Sequence, residues 1–350
     1  MPATNKPRTI LAIRLSALGD AAMTIPVIRE MLAADPQLQV VLVTNQRWLA
    51  LGQGIDRLHL VGADVKGRHQ GVPGLYRLYR EIRKAYHISA VADLHGVLRA
   101  RILRTFFLLS GKKVAVIDKG RAEKKALTRQ EHKILQPLKT TVQRYRDVFA
   151  QLGIQGITVT PIRNNALSGK VQAITGIKGA GERWIGIAPF ATYREKMYPL
   201  ERMEAVMNVL GTDPGCKVFL FGGGPGEIQQ LAALAADNPN VVCAAGKFSL
   251  EEELAMVAQL DVMVSMDSAN MHLASLKGTP VVSVWGATHP YAGFMGYGQS
   301  AADAAQIVLE CRPCSVFGNK PCFRGDHACM EWLEPMVIVD HVRKVLARGG

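Results

Sequence analysis

Residues 261–286 read DVMVSMDSANMHLASLKGTPVVSVWG, and the order of residue types in that stretch decides the fold class. Val262 to Met266 is an apolar run of strand length. Asp267, Ser268, Ala269 and Asn270 follow, with acceptor side chains where a helix begins, and a second apolar run, PVVSVWG, closes the stretch. A helix N-terminus is thereby set at the end of a strand. In an open parallel sheet ligands collect beyond the carboxyl ends of the strands, and backbone N–H groups there suit an anion such as a diphosphate. His272 stands four residues after Ser268, on the same helical face one turn in. Carboxylate, hydroxyl and imidazole can then converge on one bound group; the alternative is a capped helix with a packed histidine.

The same alternation extends in both directions. Strands are expected at Thr9 to Leu15, Gln39 to Thr44, Leu58 to Val61, Ile88 to Leu94 and Lys113 to Ile117, with a helical pattern after Asp20 in which Pro26 implies a kink or an early irregular turn, and another on Leu75, Leu78, Tyr79 and Ile82. Residues 118–140 are dense in Lys and Arg and weakly periodic, which reads as a mobile basic loop with short helical pieces. A helix over Thr141 to Leu152 precedes 153–181, rich in Gly, Asn, Ser and Lys, taken as the domain boundary. Strands then return at Trp184 to Pro189, Lys217 to Phe221 and Val241 to Ala244, with helices at Leu200 to Leu210, Glu227 to Ala236 and Ser249 to Gln259. This β-α-β-α order predicts two Rossmann-like domains, 1–165 and 166–335, whose parallel sheets face an interdomain cleft, and a last helix within 336–350 packing back on the first domain.

Bulk properties narrow the class. The chain has 350 residues, 48% hydrophobic and 20% charged, long enough for two cores. Its net charge of +13 is concentrated: residues 1–170 carry 28 Lys and Arg against 11 Asp and Glu, residues 171–350 carry 14 against 18. A basic first half attracts nucleic acid, an anionic membrane or an acidic substrate. No apolar run reaches a membrane span and the start enters a strand, so a cytoplasmic location is expected.

Several residues offer chemistry. Asp20, after Gly19 at the first strand-to-helix turn, suits a general base or a helix cap. Thr192 and Lys196, in the turn after the strand at Trp184, suit phosphate oxygens or an ordinary charged loop. In FGGGPGE, Gly223 and Gly224 let backbone approach a ligand, yet the turn is neither a P-loop nor the dinucleotide fingerprint. Of six cysteines, Cys311, Cys314, Cys322 and Cys329 cluster in CRPCSVFGNKPCFRGDHAC with His327 among them. They can close a zinc tetrahedron, but the second pair is not C-x2-C; thiols that pack or pair without a catalytic role are the favoured reading.

In combination, RLSALGDAAMTIPVI, GIAPFATYREKMYP, FGGGPGE and MDSANMHLASLKGTPVVSVWG resemble, in order and across essentially the whole chain, the ADP-heptose:lipopolysaccharide heptosyltransferases of glycosyltransferase family 9. The resemblance implies a GT-B fold and an inverting, metal-independent transfer from a nucleotide diphosphate sugar to a lipid-linked acceptor at the inner face of the cytoplasmic membrane. Asp20 would take the acceptor's proton, and Lys196 would neutralise charge on the departing diphosphate. Thr192, Gly223, Gly224, Asp267, Ser268, Ala269 and His272 would line the donor site, with Phe248 against the adenine and Glu227 towards the ribose. Ala191 and Ala269 replace a hydroxyl residue and a glycine usual at those positions, which leaves the donor's identity open. Arg121, Lys124, Lys125 and Arg129 are the candidates for contact with the phosphorylated acceptor or the membrane. The rival readings are a related enzyme with another nucleotide sugar and a noncatalytic basic protein that binds nucleic acid; the latter lacks a basic motif interleaved with aromatics. Nothing in the sequence speaks to oligomeric state.

Overall fold

The computed structural model describes residues 8–163, 166–236 and 238–348. Its first half runs β1 (Arg8–Ile13), α1 (Leu18–Ala34), β2 (Leu38–Asn45), β3 (Leu58–Ala63), α2 (Gly71–Ala85), β4 (Ala90–Asp93), α3 (Leu98–Leu109), β5 (Lys113–Val116), α4 (Arg121–Leu127) and α5 (Thr141–Gln151). The second half runs α6 (Gly169–Thr175), β6 (Arg183–Ala188), α7 (Leu200–Thr212), β7 (Cys216–Leu220), α8 (Pro225–Ala236), β8 (Val241–Cys243), α9 (Leu250–Val257), β9 (Val262–Met266), α10 (Ala269–Leu276), β10 (Val281–Val284), β11 (Ala304–Ala305), α11 (Ala328–Glu331) and α12 (Pro335–Arg348). Two compact units result: Met1–Lys119 with Thr141–Thr160, and Gly120–Thr140 with Pro161–Gly350. Asn164 and Asn165, in the segment read as the boundary, lie outside the described residues.

The first unit is built on a parallel sheet of order β3-β2-β1-β4-β5. β1 is central and buried, so every residue of ILAI is apolar rather than alternate ones. On one face Leu11, Ile13 and Val41 pack against Leu78 and Ile82 of α2 and Leu103 and Phe107 of α3. Ile10 and Ala12 point to the other face. α1 and α5 are joined by a two-pronged pair: Arg146 Nε and one terminal nitrogen donate to the buried Glu30 carboxylate at 2.7 and 2.5 Å. α1 continues through Pro26 without a break in its helical span, because Pro26 and most of its neighbours are buried and packing sustains the helix. α3 is not among the elements expected from periodicity: LRARILRTFFLL places only Ala100, Leu103 and Phe107 inward, too sparse a stripe to stand out.

The second unit has a parallel sheet of order β11-β10-β9-β6-β7-β8. One face is covered by residues such as Met203, Val206 and Leu210 of α7 and Ile338, Val339 and Val342 of α12; the other by Met256 and Val257 of α9 and Met271 and Ala274 of α10. The C-terminal helix, expected to pack back on the first domain, belongs to the second unit instead: it buries Ile338, Val339, Val342 and Val345 there, and Arg343 and Arg348 pair with Asp213 and Asp303. An apolar stripe goes where matching apolar area is nearest, each such side chain contributing about 1.5–3 kcal/mol. Residues 120–140 contain a short helical piece, as expected, but depart from a free loop of the first domain. They hold α4 and a small core in which Leu127 and Leu138 meet Ala292, so they group with the second unit.

Each sheet has one place where strand order reverses, between β1 and β4 in the first unit and between β6 and β9 in the second. The chain leaves the carboxyl ends of those strands in opposite senses and opens a crevice there. Asp20, Lys196 and Asp267 follow three of these four strands, β1, β6 and β9.

Candidate active site

At the first reversal the loop after β1 carries Arg14, Leu15 and Ser16, and the loop after β4 carries Leu94 and His95. Asp20 is the third residue of α1, not its N-cap. Its carboxylate is partly exposed and paired with the buried guanidinium of Arg14. It also accepts from the Ala17 N–H at 3.4 Å, so the capping alternative holds only in this weak form. Arg14 donates to the Leu94 carbonyl at 2.7 Å and lies over the Tyr145 ring, 5.7 Å from its centroid. The Tyr145 hydroxyl donates to the Asp20 carbonyl at 3.3 Å, and burial pushes that phenol's pKa up. His95 Nδ1 accepts from the Leu15 N–H at 3.3 Å, which leaves the proton on Nε2, 3.2 Å from the Ser16 hydroxyl. Burial first, then the positive charges of Arg14 and Lys119, pull the imidazole pKa down to about 3, so the ring is neutral at physiological pH. Asp93, fully buried, receives the His95 and Gly96 N–H groups and Arg104, which fixes the turn carrying His95.

At the second reversal Lys196 ends a short 3-10 turn after β6, and its ammonium lies 3.0 Å from the carboxylate of Asp267, which follows β9. Asp267 is buried, and Lys196 is mostly so. The Ser268 hydroxyl faces that of Ser265 at 3.2 Å and does not cap α10, so its own N-cap side chain leaves the first amides of that helix uncovered. His272 is buried one turn further in. Thr192 is exposed on the same loop as Lys196. Asp261, at the head of the stretch quoted first, serves the fold: its carboxylate accepts from the Trp184 N–H and from Lys178, both at 2.7 Å, and so locks β9 beside β6.

The glycine turn after β7 is closed by its own chain. Glu227 accepts from the Gly223 N–H at 2.8 Å and the Gly224 N–H at 3.5 Å, so its carboxylate occupies the amides that a ligand would use. Phe248 is half-buried against the core beneath α9. Of the four basic candidates, Arg121, Lys125 and Arg129 are exposed or partly exposed, whereas Lys124 is buried with its ammonium 4.3 Å from the Phe294 ring centroid.

The four clustered cysteines border a small cavity with Arg312 and His327, and all are free thiols. Burial raises the pKa of Cys314, and that of Cys329 to about 11, which keeps both protonated. Among the described residues no group of three or more His, Cys, Asp or Glu side chains is placed to hold a metal ion. The same loop touches the site by packing. Gly318 takes a positive φ of 74° against the Lys196 stem, where a Cβ would collide with Lys196 Cγ.

Arg14, Tyr145 and His95 are not legible as site residues in the sequence. Arg14 lies in the quoted RLSALGD, but a charge directly after a buried strand reads as surface until the fold closes over it. His95 has no signal beyond its place after β4.

The profile described as glycosyltransferase family 9 (heptosyltransferase) matches residues 75–320. A lipopolysaccharide core heptosyltransferase, OpsX, from Haemophilus influenzae is 23% identical over 292 residues, covering 82% of this chain and 81% of that protein. Among solved structures, a family 9 glycosyltransferase from Veillonella parvula superposes with a TM-score of 0.76 at 19% identity, covering 98% of each chain. The E. coli heptosyltransferase WaaC with ADP-2-deoxy-2-fluoro heptose superposes with a TM-score of 0.61 at 19% identity, covering 89% of this chain and 97% of that one. The two parallel sheets have the GT-B architecture of these neighbours. With its family profile spanning both units, the chain belongs to glycosyltransferase family 9, the heptosyltransferases, and is a glycosyltransferase.

Proposed function

We propose that this chain transfers a heptose from ADP-heptose to the inner core of lipopolysaccharide, with inversion at the anomeric carbon and without a catalytic metal. The observation that carries the proposal is the Lys196–Asp267 pair at the β6/β9 reversal, beside the start of α10. A diphosphate brought there meets helix amides and an ammonium that can turn from Asp267 to the phosphates as charge grows on the leaving group. In the first unit Asp20 takes the proton of the acceptor hydroxyl, and Arg14 holds its carboxylate in place. The donor therefore belongs to the second unit and the acceptor hydroxyl to the first. In this reading Thr192, Ser268 and Ala269 serve the phosphates and sugar, and Phe248 the base. Glu227 reaches the ribose only by releasing the glycine turn. Arg121, Lys125 and Arg129 suit the acceptor's phosphates. The WaaC structure cited above holds an ADP-heptose analogue, which favours ADP-heptose as donor.

A thermal-shift panel of ADP-heptose, UDP-sugars and GDP-sugars tests the donor. A nucleotide sugar at about a hundredfold its dissociation constant adds about 2.7 kcal/mol of stability. A shift with ADP-heptose alone, followed by transfer to a heptose-deficient lipopolysaccharide core, is the expected result; a shift only with a UDP- or GDP-sugar overturns the donor assignment. Among the described residues no helix is long and apolar enough to cross a membrane, and a peripheral position at the inner face of the cytoplasmic membrane suits a lipid-linked acceptor.

A further inference from the structure

A groove of about 600 Å³ lies between α2 and α3, with Tyr76, Phe106, Arg80 and Lys84 among its walls and Leu109 at its end. Leu75, Leu78 and Ile82 of α2 and Leu103 and Phe107 of α3 cover the sheet beneath, with Phe106 half-buried against them, and Tyr76, Arg80, Lys84 and Leu109 are left outside that core. Yet α3 ends in Phe106-Phe107-Leu108-Leu109, and Leu108 and Leu109 remain 56% and 80% exposed, with Tyr76 at 48%. Aliphatic side chains left out at the end of a helix, beside an aromatic groove, are a concentration of apolar surface that folding does not use.

The charge around them has one sign. Residues 71–116 carry nine Lys and Arg against two acids, Glu81 and Asp93. Both acids are engaged elsewhere: Glu81 with Arg68 and His69, and the buried Asp93 with Arg104. Arg80 and Lys84 on α2 and Lys113 just beyond α3 are exposed.

We infer that the α2–α3 face docks the enzyme on an anionic phospholipid bilayer, with Leu108, Leu109 and Tyr76 entering the boundary between headgroups and acyl chains and Arg80, Lys84 and Lys113 lying on lipid phosphates. Charge complementarity selects an anionic partner, and the aliphatic residues select lipid over nucleic acid: leucines insert among acyl chains but offer no flat face for a base. Tyrosine suits the interface, where its ring and hydroxyl meet different surroundings. The inference takes its motive, an acceptor held in a membrane, from the proposed function; the surface itself stands on exposure and charge.

The test is co-sedimentation with vesicles of phosphatidylcholine alone or mixed with phosphatidylglycerol, for the full chain and for Leu108→Ser/Leu109→Ser and Arg80→Gln/Lys84→Gln. The wild type should bind the mixed vesicles roughly tenfold better than the neutral ones, or more. Arg80→Gln/Lys84→Gln should lose roughly 25-fold, since each cation near such a surface is worth about a factor of five, and Leu108→Ser/Leu109→Ser should lose roughly tenfold or more with its inserted apolar area. Thermal stability and the shift with ADP-heptose should be unchanged, because every altered residue is exposed and far in sequence from Asp20 and Lys196. Equal binding of the wild type to both vesicle types, or wild-type binding by either variant, overturns the inference. So does loss of binding in Arg121→Gln/Arg129→Gln in place of the α2–α3 variants, or a short single-stranded RNA that competes with vesicles and binds the leucine variant at full strength. Vesicle binding without heptose transfer would sink the proposed function and leave the docking surface standing.

Discussion

The buried guanidinium of Arg14 is paired with the partly exposed carboxylate of Asp20, and Tyr145 braces both residues, its ring against the guanidinium and its hydroxyl on the Asp20 carbonyl. A carboxylate so held, the base in the proposed reaction, keeps its direction without help from substrate. Asp20→Asn keeps the shape and removes the basicity, so kcat should fall by about 10²–10⁴ with donor affinity retained. Arg14→Gln should lower kcat with little change in the donor's KM. Steady-state kinetics decide both; full turnover in Asp20→Asn removes it as the base.

Lys196 and Asp267 form the second tight pair. In Lys196→Ala a buried carboxylate loses its partner, at a cost of about 2–4 kcal/mol, and donor affinity should fall roughly tenfold or more. Adding Asp267→Asn should recover most of the stability but none of the affinity. Urea melts and donor titrations on the wild type, the two single variants and the double variant separate the two roles; wild-type donor affinity in Lys196→Ala rules out the phosphate contact.

His95 makes stability depend on acid. Its pKa is about 3 in the folded chain against an ordinary 6.5, so the folded state binds fewer protons between those values. Its contribution is complete above pH 6.5 and is lost as pH falls towards 3. His95→Gln should flatten the acid limb of a Tm-against-pH curve, by about 2–4 kcal/mol across that window. An unchanged limb would mean that the ring gains its proton without cost.

Glu253 acts in the opposite sense. Burial lifts its carboxyl pKa to about 7 from 4.5, so the folded state holds a proton that the unfolded state has released. The stability linked to that proton is complete below pH 4.5 and is lost as pH rises through 7. Glu253→Gln should therefore be the more stable protein at about pH 8, by about 1–3 kcal/mol, with the gain vanishing near about pH 4. A variant no more stable than wild type on the alkaline side contradicts the burial.

Strands are the most legible elements because buried parallel strands are continuous apolar runs: the expected limits of β9 match the observed ones, and those of β1, β2 and β7 lie close to them. Helices with a clear stripe, such as α2 and α7, are equally plain. Illegible are elements whose reason is tertiary. α3 hides its three inward residues among arginines, and the segment around α4 shows its short helical piece but not its anchoring, because its core is completed by Ala292, far along the chain. In the site, acids and lysines after strands are visible as types, and Lys196 with Asp267 prove to be partners. The Glu227 carboxylate on the glycine amides, the burial of Lys124 and the bracing of Asp20 depend on side chains meeting across distances that no spacing encodes.

Residues 120–140 leave the first unit's stretch of sequence and lodge in the second, and 141–160 return, so the chain passes from one unit to the other three times, after 119, 140 and 160. No single cut can release either unit whole. A fragment starting at Pro161 would carry the β6–β11 sheet but leave Ala292 without Leu127 and Leu138, and one ending at Lys119 would lack α5, the partner of α1. For this enzyme, gene truncation is a poor route to separating the two units, and exchange of halves with relatives succeeds only if the short excursion travels with the later half.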